Sequence, residues 1–194
     1  MYQPDHYRVE DVPQMHALMR ARPLAALISC GSAGLYATHL PTVLKDAGPY
    51  GVIECHLARA NPHWKELAEG KEALMIFQGP EGYITPNWYP SKAQHGKVVP
   101  TWNYAVVHAY GCPEVMKEKD WLHRHVAELT AQQERNESEP WMTSDAPDLH
   151  RSHVARHYRV PLCHHATPGQ VEDEPESRHG RSRRCCERSQ QARL

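Results

Sequence analysis

The chain has 194 residues and a mass of 22.2 kDa, with 40% hydrophobic and 23% charged residues. That composition allows one ordinary domain, or a domain of about 150 residues with a tail, and excludes two large domains, a fully disordered chain and a fibrous repeat. The formal charge of −1 is unevenly spread, since residues 1–148 carry 13 Lys+Arg against 18 Asp+Glu (−5) and residues 149–194 carry 9 against 5 (+4).

The opening MYQPDHYRVEDVPQM has neither the basic nor the apolar region of a signal peptide, and no apolar run in the chain reaches the ~18 residues of a membrane helix. A soluble, cytoplasmic protein without a membrane partner is expected. From Asp11 to Arg22, Val12, Met15, Leu18 and Met19 recur at helical spacing, with Asp11 placed as N-cap and Pro23 as the stop. Short runs then read as strands: Leu24–Ser29, Leu35–Leu40, Val52–His56, Ala73–Gln78, Gly82–Thr85 and Ala105–Tyr110. Gly and Pro signals separate most of them, including Gly79-Pro80, Pro86-Asn87 and Gly111-Cys112-Pro113. This is the cadence of an antiparallel barrel or sandwich. Asn61-Pro62 signals a turn that could start a helical turn, Pro62–Leu67, capped by the Asn side chain. Val115, Trp121, Leu122, His125, Val126 and Leu129 predict a helix over Glu114–Gln133, followed by an acidic loop, Glu134–Asp148, carrying Trp141 and Met142. The six cysteines lack CxxC spacing, so neither a disulfide framework nor a zinc site is indicated.

The segment Gly82–Tyr104 holds three prolines, two tryptophans and three tyrosines around Ser91, Lys92, Lys97, Thr101 and Asn103. Flat aromatic faces suit a planar heteroaromatic ligand, and the lysines and hydroxyls suit a phosphate; the plainer reading is core aromatics with a solvated lysine rim. His39, His56 and His63 form a second set, readable as metal ligands or as hydrogen-bonded barrel histidines, with the loose spacing favouring the latter. No GxSxG elbow, GxGxxG fingerprint or P-loop is present.

Five runs, MYQPDHY, GLYATHLP, HLARANPHW, IFQGPEGYITPNWYPSK and VVPTWNYAVVHAYG, resemble the PaiB family of FMN-binding negative transcriptional regulators, over Met1 to about Asp148. The resemblance implies a mainly β, α+β split barrel of the pyridoxamine-phosphate-oxidase-like type. It also implies a homodimer with FMN near the interface, and repression of genes such as those for sporulation and secreted proteases. It turns the aromatic and lysine cluster into the leading flavin candidate, with His39, Tyr89, Ser91, Lys92, Thr101, Trp102 and Asn103 as cofactor residues. Side-chain chemistry assigns Lys92 to the phosphate, Ser91 and Thr101 as donors, and Trp102 or Tyr89 to the ring. No catalytic residue is indicated. The alternative is an FMN-dependent oxidoreductase on the same barrel, since fold does not decide function. DNA is a further partner in the family description, but the body carries −5 and no helix-turn-helix.

Beyond residue 148 the vocabulary changes: the last 46 residues contain nine Arg and no Lys, six His, and no Ile, Phe, Trp, Met or Asn. Family members continue there with another strand and a motif close to GKWKLSQNR. Reading the last two bases of each codon with the first of the next allows Gln170–Arg178 to spell KWKMSQNR, and two of its lysines are forced. A one-base slip near Asp148 or Leu149 is therefore expected to have replaced the native C-terminus with an irregular Arg/His-rich tail over 149–194, leaving the 1–148 barrel incomplete.

Overall fold

The structure, a computed structural model, describes residues 7–32, 34–116, 118–146, 157–163 and 165–170. Helix α1 (Val12–Ala21) has Pro13 in its first turn, where a missing N–H costs nothing, and buries Met15, His16 and Met19. Asp11 stands at the N-cap, but its side chain makes no capping bond; its carbonyl accepts from Met15 N at 3.1 Å. Strands β1 (Leu24–Gly31) and β2 (Gly34–Pro41) form a hairpin in register from Leu24↔Pro41 to Gly31↔Gly34. Strand β3 (Val43–Lys45) pairs with β4 (Val52–Ala58), and α2 (His63–Leu67) follows.

Strand β5 (Ala73–Ile84) unites two stretches that the sequence separated. Gly79-Pro80 is not a turn: it lies in a bulge between Gln78 and Glu81 of a continuous ladder with β6 (Thr101–Gly111). A Cβ at position 79 would stand 2.9 Å from both the Ala105 carbonyl oxygen and Leu18 Cδ1, so glycine permits the close approach. Between β5 and β6 lie a 3₁₀ turn (Pro86–Trp88) and α3 (Ser91–His95). Helix α4 (Lys119–Glu134) begins later than its apolar spacing suggested, because the segment before it is extended; Val115 nevertheless packs on the core.

The chain forms a split barrel of two antiparallel sheets, ordered β2-β1-β5-β6-β8 and β3-β4-β7, with few helices. Leu27, Ile53, Leu57, Met75, Phe77 and Val107, all nearly inaccessible, line the core between them, with Met15 and Met19 of α1. Ile53, Cys55 and Leu57 of β4 face this core, while the alternate Glu54 is buried with Trp121 of α4. The small sheet is thus covered on both faces.

Strands β7 (His157–Cys163) and β8 (His165–Gln170) correct the expectation of an irregular tail over that stretch. The first pairs with β4 from Val52↔Cys163 to Ala58↔His157, the second with β6 from Ala105↔Gln170 to Tyr110↔His165. Backbone pairing needs only free N–H and C=O groups, so an open edge can recruit a segment whatever its side chains. Pro161 and Pro168 accordingly sit in edge strands. The rest of the tail lies outside the described residues. Cys112 is disulfide-bonded, whereas Cys30 and Cys55 are reduced thiols. The spacing of the cysteines gave no sign of that bond.

Candidate cofactor site

The β5–β6 ladder closes on the pair Ile84↔Thr101, and the connection 85–100 folds beyond it. Thr85 Oγ1 accepts from Asn87 N at 3.3 Å, Trp88 N donates to the Thr85 carbonyl at 3.1 Å, and Tyr89 N donates to the Pro86 carbonyl at 3.2 Å. Pro86 and Pro90 pre-set the backbone of the two turns. Gly96, at φ 66°, ends α3 in the left-handed region and donates to the Lys92 carbonyl.

Six of the seven candidate residues, Tyr89, Ser91, Lys92, Thr101, Trp102 and Asn103, belong to one hairpin end, with Trp102 on the opposite face of β6 from Thr101 and Asn103. Trp102 pairs with Tyr83, and their rings stand edge to face with centroids 6.0 Å apart. Both are about half exposed, and Trp88 is 68% exposed. These aromatics are therefore not core residues. Lys92 Nζ donates to Asn87 Oδ1. Tyr83, Thr85 and Asn87 were not singled out from the sequence, although Thr-Pro-Asn is a readable hydroxyl-capped turn.

His39 is the residue the structure does not bring to the group. It is exposed on β2, in the row His39, Ala26, Ile76, His108 that crosses four strands. That separates it from β6 by about 14 Å laterally, and His108 from Trp102 by about 20 Å along the strand. Strand alternation does put His39, His108 and Trp102 on the same outer face of the sheet.

Of the histidine set, His63 and His56 are hydrogen-bonded barrel residues, while His39 is exposed on β2. His63, fully buried, has Nε2 2.9 Å from Ser29 Oγ and Nδ1 2.8 Å from Thr38 Oγ1, with Tyr36 stacked at 5.3 Å. Burial pushes its pKa down, with the Glu66 carboxylate acting in the opposite sense. Asn61 Oδ1 accepts from His63 N at 3.0 Å, so the Asn does cap the turn as expected. His56 Nδ1 lies 3.2 Å from His125 Nε2; His125 stacks on Trp121 at 4.7 Å, and Trp121 Nε1 donates to Glu54 Oε1 at 3.3 Å. Among the described residues no three potential ligands converge on a metal position.

Comparison with known proteins identifies the architecture. A family described as "Putative FMN-binding domain" matches residues 1–157. The chain belongs to that family. An uncharacterized protein of Saccharomyces cerevisiae, YKL070W, is 33% identical over 160 residues, covering 72% of this chain and 94% of its own. Protease synthase and sporulation protein PAI 2 of Bacillus subtilis is 29% identical over 140 residues, covering 72% of this chain and 65% of its own. This confirms the PaiB resemblance; the chain spans about two thirds of that relative. The fold is shared with an FAD and heme binding protein of Mycobacterium smegmatis, with TM-score 0.61, 15% identity, and coverage of 89% of this chain and 77% of that one. The flavocytochrome Anf3 of Azotobacter vinelandii gives TM-score 0.61 at 10% identity, with 94% and 88% covered. At such identities the likeness concerns fold alone. The groups carried by the hairpin end, an ammonium, hydroxyls and half-exposed aromatic rings, are of the kinds that suit the phosphate and ring of a phosphorylated flavin.

Proposed function

We propose that the protein is an FMN-binding negative regulator whose flavin is held at the end of the β5–β6 hairpin. The observation that carries this reading is the placement of Lys92, tied to an uncharged amide oxygen, on the same hairpin end as the Tyr83–Trp102 pair. Lys92 attracts the phosphate, Ser91 and Thr101 donate to it, and Trp102 or Tyr89 lies against the isoalloxazine. When bound, FMN supplies a redox-active or sensed ring; the chain's residues bind and orient it.

A homodimer accounts for His39. The outer sheet face carries Leu24 and Leu35, 63% and 80% exposed, beside Ala37 and His39. A second copy covering this face would remove apolar surface from water and could bring one subunit's His39 to the other's hairpin. A link to sporulation and protease production is supported by the name of the Bacillus relative, and the family resemblance adds repression. Direct DNA contact draws no support from the body's charge of −5. The exposure of Tyr83 and Trp102 favours a second reading, an FMN-dependent oxidoreductase, because it would leave a bound ring open to a reductant. The segment beyond 148 is read as out of frame on its changed vocabulary and on the alternative-frame spelling of residues 170–178.

Titration of FMN by flavin fluorescence tests the site. Lys92→Ala should weaken binding about tenfold or more, as expected for loss of a charge-assisted contact. Unchanged affinity would remove Lys92 from the site.

A further inference from the structure

We infer that Asn87 is a positioning residue for the flavin phosphate, holding the Lys92 ammonium in place without cancelling its charge, with Thr85 fixing Asn87 in turn. The inference rests on the flavin reading above and adds the device that gives the site its preference for a phosphorylated ligand. A lysine on an open loop ordinarily spreads over many rotamers, and fixing it costs entropy at the moment of binding. Here Lys92 Nζ is anchored on Asn87 Oδ1. The anchor is itself built: Asn87 N donates to Thr85 Oγ1, Trp88 N donates to the Thr85 carbonyl, and Pro86 fixes the turn between them.

The chemistry of the partner is the decisive point. Lys45 is paired with Glu128, Lys71 with Glu69, Arg20 with Asp46 and Arg8 with Glu10, each cation meeting a carboxylate. Lys92 is held instead by a neutral oxygen. A carboxylate there would position the ammonium equally well but would repel a phosphate and neutralise the charge that attracts it. An amide oxygen positions it and leaves the full positive charge for an anion.

The test compares FMN with riboflavin, which lacks the phosphate, across the full-length protein, Asn87→Ala, Asn87→Asp and Lys92→Ala, with thermal melting to confirm folding. The wild type should bind FMN at least tenfold more tightly than riboflavin. Asn87→Ala should lower FMN affinity several-fold with riboflavin unchanged. Asn87→Asp, nearly isosteric, should lower it further by neutralising Lys92. Adding Asn87→Ala to Lys92→Ala should change nothing more, since the anchor then has nothing to hold. Equal losses for both flavins in the Asn87 variants, or no loss, would overturn the role of Asn87 while Lys92→Ala still reports the phosphate contact. Equal affinity of the wild type for the two flavins, with Lys92→Ala silent, would instead sink the flavin reading and the inference with it.

Discussion

His63 shows how one side chain can pin a helix into a barrel. It occupies the start of α2, and both ring nitrogens meet hydroxyls, Ser29 on β1 and Thr38 on β2. Removing the Ser29 hydroxyl would leave a buried ring nitrogen without its partner, and Ser29→Ala should cost about 1–3 kcal/mol in denaturant unfolding. Because burial lowers the pKa of His63, and of His108 likewise, the unfolded chain binds protons before the folded one does. Stability should therefore be full above the ordinary imidazole value near 6.5 and fall as pH drops below it, and His63→Gln should make that fall shallower. An identical acid slope in the variant would contradict the assignment. At the alkaline end, burial pushes the Cys55 thiol up to about 12 from 9.0, so the unfolded chain ionises first and stability should decline above pH 9. The cap by Asn61 was legible in the sequence; the hydroxyl partners were not, because Ser29 and Thr38 lie 34 and 25 residues away.

At the scale of elements, α4 is fastened to the small sheet by a buried polar chain rather than by apolar packing alone. Glu54, His56, Trp121 and His125 join β4 to this helix, and Gln132 Nε2 donates to the Thr42 carbonyl at 3.2 Å. His125→Ala should loosen α4, lowering stability by about 2–4 kcal/mol and raising hydrogen exchange in residues 119–134 ahead of β5. Uniform exchange across both would contradict a separate fastening. The helical period of α4 and the alternation of β1 were readable because each buries one stripe. Strand β5 was split in the reading because Gly79-Pro80 is an ordinary turn signal, and only the close approach of Ala105 and Leu18 makes it a bulge. Gly79→Ala should accordingly destabilise by about 1–3 kcal/mol, measured by urea midpoint.

At the scale of the whole molecule, the C-terminal strands lie along β4 and β6. Six candidate flavin residues share one hairpin end, with Trp102 on the opposite face of β6 from Thr101 and Asn103; His39 lies apart, since its distance across the sheet is set by strand order. The C-terminal pairing was illegible for a different reason: β7 and β8 are placed by the free edges of β4 and β6, and their own side chains carry little strand signal. If residues beyond 148 are out of frame, restoring the alternative frame should raise the melting temperature and favour the dimer in sedimentation analysis, while an unchanged melting point and mass would argue that the present C-terminus is native. The central claim is that this hairpin end holds FMN. Incubation of the full chain with FMN, removal of free ligand by gel filtration, and a visible absorption spectrum test it most directly. A flavin band near stoichiometric with protein, and much reduced in Lys92→Ala, is the predicted result; no retained flavin in either the present chain or one restored to the alternative frame would contradict it.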